Sequence, residues 1–220
     1  MEIKGVFEGV YKIDGKLATK NLAKGSRVYN EELVQHNGVE YRMWNPYRSK
    51  LAAAIMKGMK NMFIANGKNV LYLGAATGTT CSHVSDIVGN EGTVYCVEIS
   101  ERNMRELIKV CEKRENMIPL FSDARKTDSY GSEIDEVDVI YQDVSARDQA
   151  GILLANSRFL KKGGYAYVAI KSQSISVAKK PSEVYSDFFK EVAQRFEVVE
   201  KIDIAPYDQK HMFAVLKNRP

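Results

Sequence analysis

Cysteine is scarce: Cys81, Cys96 and Cys111 are the only three in 220 residues. The count is odd and no pair stands at C-x-x-C spacing, which excludes a sequence-encoded zinc or dithiol motif and leaves reduced, buried thiols. Histidine is equally rare. His36, His83 and His211 lie far apart, so no zinc site is expected. Five prolines and 15 glycines are too few for a low-complexity tail. No run of 18 apolar residues exists, so no membrane span is expected. The opening stretch MEIKGVFEGVYKIDGK lacks the apolar core of a signal peptide, and a cytoplasmic location is expected. One-sided charge is missing too. Thirty-two basic against 28 acidic residues leave a net +4, which permits nucleic-acid binding without arguing for it. What is present, 45% apolar and 27% charged residues, fits a globular protein with one domain, or one domain plus a small appendage.

The chain changes texture near residue 47. Before it, residues 2–13, 16–22, 26–30 and 39–45 read as short β segments. Asp14-Gly15 and Asn37-Gly38 between them are hairpin turn signals. Residues 1–47 are therefore expected to form a small antiparallel β unit, closed by Asn45-Pro46. From 48 to 220 the expectation is a second unit. A helix is predicted over 49–63. Strands over 69–74, 93–100, 117–124, 137–144 and 163–172 then alternate with helices over 79–89, 101–114, 147–160 and 182–196. Strands over 196–205 and 211–218 close the chain as an antiparallel pair. Alternation of this kind predicts an α/β fold, a mainly parallel sheet with helices on both faces.

Ligands of such sheets sit beyond the C-terminal strand ends. The first of these strands runs into Gly74-Ala75-Ala76-Thr77-Gly78-Thr79-Thr80, small residues that let a ligand reach the backbone ahead of a helix N-terminus. The second ends in Glu98, an acid able to accept both ribose hydroxyls of an adenosine ligand. The loop reads G-x-x-x-G. It lacks the G-x-G-x-x-G spacing expected at a pyrophosphate, and a sulfonium cofactor has no phosphate to cradle. Asp123-Ala124 ends the third strand, where a carboxylate could receive an adenine amino group. Asp143 and Lys171 end the fourth and fifth, an acid and an amine at neighbouring strand ends.

On the motifs Trp44-Asn45-Pro46-Tyr47-Arg48-Ser49-Lys50-Leu51-Ala52-Ala53-Ala54, Leu73 to Asp86, Val97-Glu98, Asp138 to Val144, Asp148-Gln149-Ala150 and Pro206-Tyr207 through His211, the chain resembles the fibrillarin family over nearly its whole length. The resemblance implies a class I S-adenosylmethionine-dependent methyltransferase fold, Rossmann-like with seven strands. It implies RNA ribose 2′-O-methylation of rRNA or tRNA within a box C/D ribonucleoprotein. The implied partners are guide and target RNA, a Nop-domain scaffold and a kink-turn-binding protein, with no membrane and no metal. It also implies a Lys-Asp-Lys-His tetrad, here Lys50, Asp143, Lys171 and His211. The cofactor would be held by Gly74 to Thr80, Glu98, Ile99, Asp123, Ala124, Asp143, Val144, Ser145 and Ala146. Lys171 would accept the hydroxyl proton or orient the oxygen, with no single base assigned.

Some residues depart from the family pattern. Thr77 stands for the usual Ser. Val144-Ser145-Ala146-Arg147 replaces Val-Ala-Gln-Pro, so a contact through the Gln side chain is lost. Ile99 replaces an aromatic or large residue, and Met212 replaces Ala. The absence of a Gly/Arg-rich extension points to the archaeal type. His83 is read as packing or capping and His36 as idle. The N-terminal β unit and helices 101–114 and 184–195 are candidate docking faces, with the scaffold expected on the methyltransferase unit. The competing readings are a small-molecule O-methyltransferase and a non-catalytic assembly subunit that binds the cofactor; a dehydrogenase ranks last.

Overall fold

The computed structural model describes residues 2–219. Strands β1 (Ile3–Phe7), β2 (Val10–Ile13), β3 (Lys16–Lys20), β4 (Leu33–His36) and β5 (Val39–Met43) form an antiparallel sheet in the order β1-β2-β3-β5-β4. Two of its turns are the expected ones. Asp14 and Gly15 (φ 45° and 83°), and Asn37 and Gly38 (φ 48° and 77°), are left-handed pairs, which matches the twist of a two-residue hairpin.

The strand expected over 26–30 is absent. Its backbone donors are taken by a carboxylate instead: Glu31 accepts from Val28 N at 3.0 Å and from Tyr29 N at 2.8 Å. Glu40 likewise draws in Gly25 N (2.8 Å) and Asn21 Nδ2 (2.7 Å). Residues 21–32 therefore loop, and β4 forms further on, where no strand was foreseen.

The helix expected over 49–63 is only α1, Lys50–Met56. Ser49 caps its start by accepting from Ala52 N. Gly58 stops it at φ 91°. The Gly58 N–H bonds Ile55 O at 3.1 Å and the Met59 N–H bonds Ala54 O at 3.0 Å, the Schellman pattern that glycine permits.

The large sheet is built from β6 (Val70–Leu73), β7 (Val94–Glu98), β8 (Met117–Phe121), β9 (Val137–Gln142), β10 (Leu160–Lys171), β11 (Phe196–Asp203) and β12 (His211–Asn218), ordered β11-β12-β10-β9-β6-β7-β8. Strands β6 to β10 pair in parallel, whereas β12 runs antiparallel to both β10 and β11. Helices α2 (Thr79–Val88), α3 (Glu101–Cys111), α4 (Gln149–Asn156), α5 (Ser172–Ile175) and α6 (Pro181–Val192) connect them. The helix predicted over 147–160 ends early, because a short 3₁₀ turn over 157–159 leads straight into β10. Strand β10 starts at Leu160 and absorbs Gly163 (φ 71°) at a register shift. Helix α5 and the 3₁₀ turns near 127–133 were not foreseen.

Two apolar cores fill the faces of this sheet. On one, Tyr72 stacks on Tyr141 at 4.4 Å across β6 and β9, and Tyr167 and Phe213 continue the layer on β10 and β12. The other holds Leu71, Leu73, Ile140, Val168, Phe188 and Phe196. The strand ends that carry the site thus stand on a close-packed base.

The small sheet rests on α2. Asp86 of α2 is its anchor: Arg42 of β5 meets Oδ2 at 3.1 Å, Arg114 meets Oδ1 at 2.6 Å, and Thr19 donates to Oδ2 at 2.7 Å. Arg42 also pairs with Glu31 at 2.7 Å. His83 of α2 is fully buried among them, stacked on Trp44 at 4.7 Å, its two ring nitrogens bonded to the hydroxyls of Thr19 and Tyr29. Burial, and then the charges of Arg42 and Arg114, hold its imidazole well below the usual value near 6.5. His83 is thus a packing residue, as expected. Burial pushes the Tyr29 phenol up to about 12. Among the described residues no helix is long and apolar enough to cross a membrane.

Candidate active site

The chain winds outward from β6 to β8 in one direction and from β9 to β10 in the other. At such a switch point the loops after neighbouring strands part and leave a crevice. A cleft of about 570 Å³ lies there. Gly74 follows β6, Glu98 and Ile99 end and follow β7, Asp123 and Ala124 follow β8, Asp143, Val144, Ser145 and Ala146 follow β9, and Lys171 ends β10; with Ala76, all of these line it.

Gly74 is required by both conformation and space. Its φ is 83°, and a Cβ there would lie 2.9 Å from Asp143 O. The loops after β6 and β9 can therefore close against each other, joined by Asp143 N bonding Leu73 O at 2.9 Å. Ala76 adopts a left-handed φ of 49° without being glycine. Its N–H donates to Glu98 Oε2 at 2.7 Å, while Glu98 Oε1 accepts from Ser100 N at 2.7 Å. Glu98 is 6% exposed and its carboxylate is fixed by two main-chain donors. Each oxygen keeps acceptor capacity for a ribose hydroxyl.

Asp123 faces the same cleft. Hydrogen bonds from Arg125, at 3.0 Å to Oδ1 and 2.6 Å to Oδ2, hold its carboxyl below the usual carboxylate range. The donor set thus suits S-adenosylmethionine: an acid for the ribose, an acid near the adenine amino group, Ile99 and Ala124 as apolar cover, and a loop with no basic cradle for phosphates.

Ala75, Thr77, Gly78, Thr79 and Thr80 belong to the predicted loop but do not line the cleft. Ala75 is buried. The Thr80 hydroxyl donates to Ser49 Oγ at 3.1 Å, tying α2 to the start of α1. Thr77 lines a different hollow, beside Arg27 and Lys113. Asn103, Arg125, Arg147 and Asp148 also line the cleft; none was named as a cofactor contact, although Arg147 and Asp148 were noted in the sequence.

The four tetrad positions come together from four elements. Asp143 is the hub. Lys50, the first residue of α1, donates to Oδ2 at 3.1 Å, and Lys171 stands 2.8 Å from Oδ1. Lys171 also donates to Asp143 O at 2.9 Å and to Ser145 Oγ at 3.1 Å. Its backbone N–H is held by Gln149 Oε1 at 3.2 Å. His211 opens β12 in register with Lys171. Asp208 was not foreseen, although it lies within the stretch from Pro206 to His211 on which the resemblance rests. Its Oδ1 is 2.7 Å from His211 Nδ1 and its Oδ2 is 3.7 Å from Lys50. An i,i+3 acid before a histidine was the available signal. Among the described residues no three His, Cys, Asp or Glu side chains stand in a metal-holding arrangement.

A parallel sheet ordered 3-2-1-4-5 with an antiparallel strand slotted beside its last member, carrying an acid at the second strand end, defines a class I S-adenosylmethionine-dependent methyltransferase fold. The profile of the fibrillarin family matches residues 1–220. A fibrillarin-like rRNA/tRNA 2′-O-methyltransferase of Pyrococcus furiosus is 49% identical over 220 residues, 97% of each chain. The crystal structure of Aeropyrum pernix fibrillarin with natively bound S-adenosyl-L-methionine superposes with a TM-score of 0.89 at 42% identity, over 98% of this chain and 99% of that one. The fibrillarin of a fibrillarin/Nop5p complex gives a TM-score of 0.89 at 39% identity, over 99% of this chain and all (100%) of that one. The chain belongs to the fibrillarin family.

Proposed function

We propose that this chain is an S-adenosylmethionine-dependent RNA ribose 2′-O-methyltransferase that acts on rRNA, and on tRNA, as the catalytic subunit of a box C/D guide ribonucleoprotein. The observation that carries it is the Lys50–Asp143–Lys171 cluster, standing at the strand ends over a cleft with an adenosine-type donor set. The name of the Pyrococcus relative, the cofactor in the Aeropyrum structure and the Nop5p complex all support it.

When bound, the cofactor supplies an electrophilic methyl on sulfur, its S–C bond breaking as the new O–C bond forms. Glu98 and Asp123 hold the adenosine. Lys50 and Lys171 are cations placed where negative charge develops on the attacking oxygen, and Asp143 fixes both. His211 completes the substrate side.

We also propose that residues 1–47 and 48–220 are separate domains, with a Nop-domain scaffold docking on the second. Guide RNA, target RNA and a kink-turn-binding protein complete the assembly, which works in the cytoplasm. Target choice then comes from base pairing, in keeping with a net charge of only +4.

The test is transfer of labelled methyl to a target RNA with and without guide RNA and partner proteins, the position mapped by resistance of the ribose linkage to alkali. Guide-dependent label on one 2′-oxygen is expected. Label without any guide would make the chain a stand-alone enzyme. Absence of label in a fully formed, cofactor-bound assembly would overturn the reading.

A further inference from the structure

We infer that Asp208 is a positioning residue of this reaction, and that its partner His211 takes, through Nε2, the proton lost by the attacking hydroxyl. The inference rests on the methyltransferase reading above.

The donor and acceptor inventory of the cluster leads there. An ammonium has three N–H donors and no acceptor. Lys171 Nζ faces three oxygens, Asp143 Oδ1 at 2.8 Å, Asp143 O at 2.9 Å and Ser145 Oγ at 3.1 Å. Lys171 Nζ is thus engaged on three sides, with hydrogen bonds to Asp143 O and Ser145 Oγ and a close charge contact to Asp143 Oδ1. Lys50 donates to Asp143 Oδ2, so both oxygens of Asp143 are held by lysines.

His211 is set up differently. Its Nδ1 is buried from solvent and has no aligned hydrogen bond, and the nearest acceptor is Asp208 Oδ1 at 2.7 Å. The carboxylate sits off the ring N–H axis, a misalignment common where a site tightens only around its substrate. A carboxylate beside Nδ1 keeps the proton on that nitrogen and the lone pair on Nε2. The register pairing sets His211 beside Lys171 on neighbouring strands, and Asp208 links His211 to Lys50. Asp208 faces His211 from the turn before β12, Lys171 from β10, and Lys50 from α1 through Asp208.

In the step, the O–H bond breaks and an N–H bond forms at Nε2. The oxygen electron pair enters the new O–C bond. The resulting imidazolium lies against the Asp208 carboxylate and later gives its proton to water.

Two experiments test this. In the free chain, ¹⁵N NMR of the imidazole reads the tautomer without cofactor or RNA. The Nδ1–H form is expected to dominate in the parent and in Asp208→Glu, and to give way to a mixture in Asp208→Asn. An unchanged tautomer in Asp208→Asn would overturn the positioning role. In the assembled enzyme, Asp208→Asn is expected to lower kcat about 10- to 100-fold with KM for target RNA within threefold, while Asp208→Glu recovers most of the loss. The acid limb of kcat against pH shifts in Asp208→Asn and vanishes in His211→Gln. An acid limb that persists in His211→Gln, or a kcat there within threefold of the parent, would place the base elsewhere. Failure of the parent assembly to methylate guided RNA would sink the methyltransferase reading itself, which the tautomer measurement does not depend on.

Discussion

Three aspartates in this molecule are each held by two cations, Asp86, Asp138 and Asp143, and the first and last differ most. Asp86 lies between Arg42 and Arg114 with side chains 0–1% exposed. Asp143 lies between Lys50 and Lys171 with side chains 12–19% exposed. The arginines use rigid forks with several partners each. Arg42 reaches Glu31, Asp86 and Ser82, and Arg114 reaches Asp86, Ser85 and Asn21. The lysines are point charges on flexible stems. The first cluster ties the small sheet to α2 through fully buried groups. The second lies partly open to solvent at the mouth of the cleft. An acid between two bases does not by itself mark a reactive site, since Asp138, near the start of β9, is also held by two lysines and is 17% exposed; place at the strand ends over the cleft separates Asp143 from both others.

The comparison is broken first by removing each hub. Asp143→Ala is expected to cut methyl transfer about a thousandfold while thermal stability changes by about 1 kcal/mol or less, read by single-turnover kinetics beside a melting curve. Asp86→Ala should do the reverse. It leaves the buried Arg114 guanidinium without a carboxylate and Arg42 with Glu31 alone, and costs about 3–5 kcal/mol, a fall of roughly 10 °C in Tm by calorimetry, with transfer per folded molecule preserved below the transition. Equal losses of stability in the two variants would dissolve the distinction.

Exchanging the cations sharpens it. Arg42→Lys keeps the charge but loses the fork, and about 1–2 kcal/mol in urea unfolding is expected. Lys171→Arg also keeps the charge, yet its planar head does not fit the three oxygens around Nζ, and transfer should fall about tenfold with stability intact.

The smallest effect concerns pH. His83 is held neutral by burial and by Arg42 and Arg114, so its folded value lies below 6.5. The unfolded chain then binds the extra proton first. Stability is full above about pH 6.5 and declines as the pH falls below it, by at most about 1.4 kcal/mol per pH unit. Glu31 acts lower. Burial pushes its carboxyl up, but the Arg42 charge and the N–H groups of Tyr29 and Val28 outweigh this and leave it below 4.5. Its contribution is lost only in more acid solution. Urea midpoints from pH 7 to 5 should therefore slope in the parent and flatten in His83→Gln.

Much of this was legible before any coordinates. Asp14-Gly15 and Asn37-Gly38 announced their hairpins, because only left-handed pairs fit the twist. The alternation after residue 48 announced the parallel sheet. Gly74, Glu98, Asp123, Asp143 and Lys171 were marked because each ends or follows a strand. The misses share a cause. Residues 26–30 have β-type side chains, but Glu31 captures their N–H groups, a contact no propensity contains. The helix after Ser49 carries its own stop at Gly58, overlooked among good helix formers. Asp208 lies in a turn, and its value comes only from folding beside Lys50 and His211.

Local chemistry and period therefore settled which segments are strands, where the glycine-bearing loop turns, and which acids and amines end up at one edge of a sheet, since these depend on neighbours in sequence. Tertiary structure alone decided that Asp143 is held by two lysines 93 and 28 residues away, that Thr80 serves Ser49 and not the cleft, and that one of two similar ion clusters is sealed while the other stays open. Those facts rest on burial and on distances across the fold, which no window of sequence encodes.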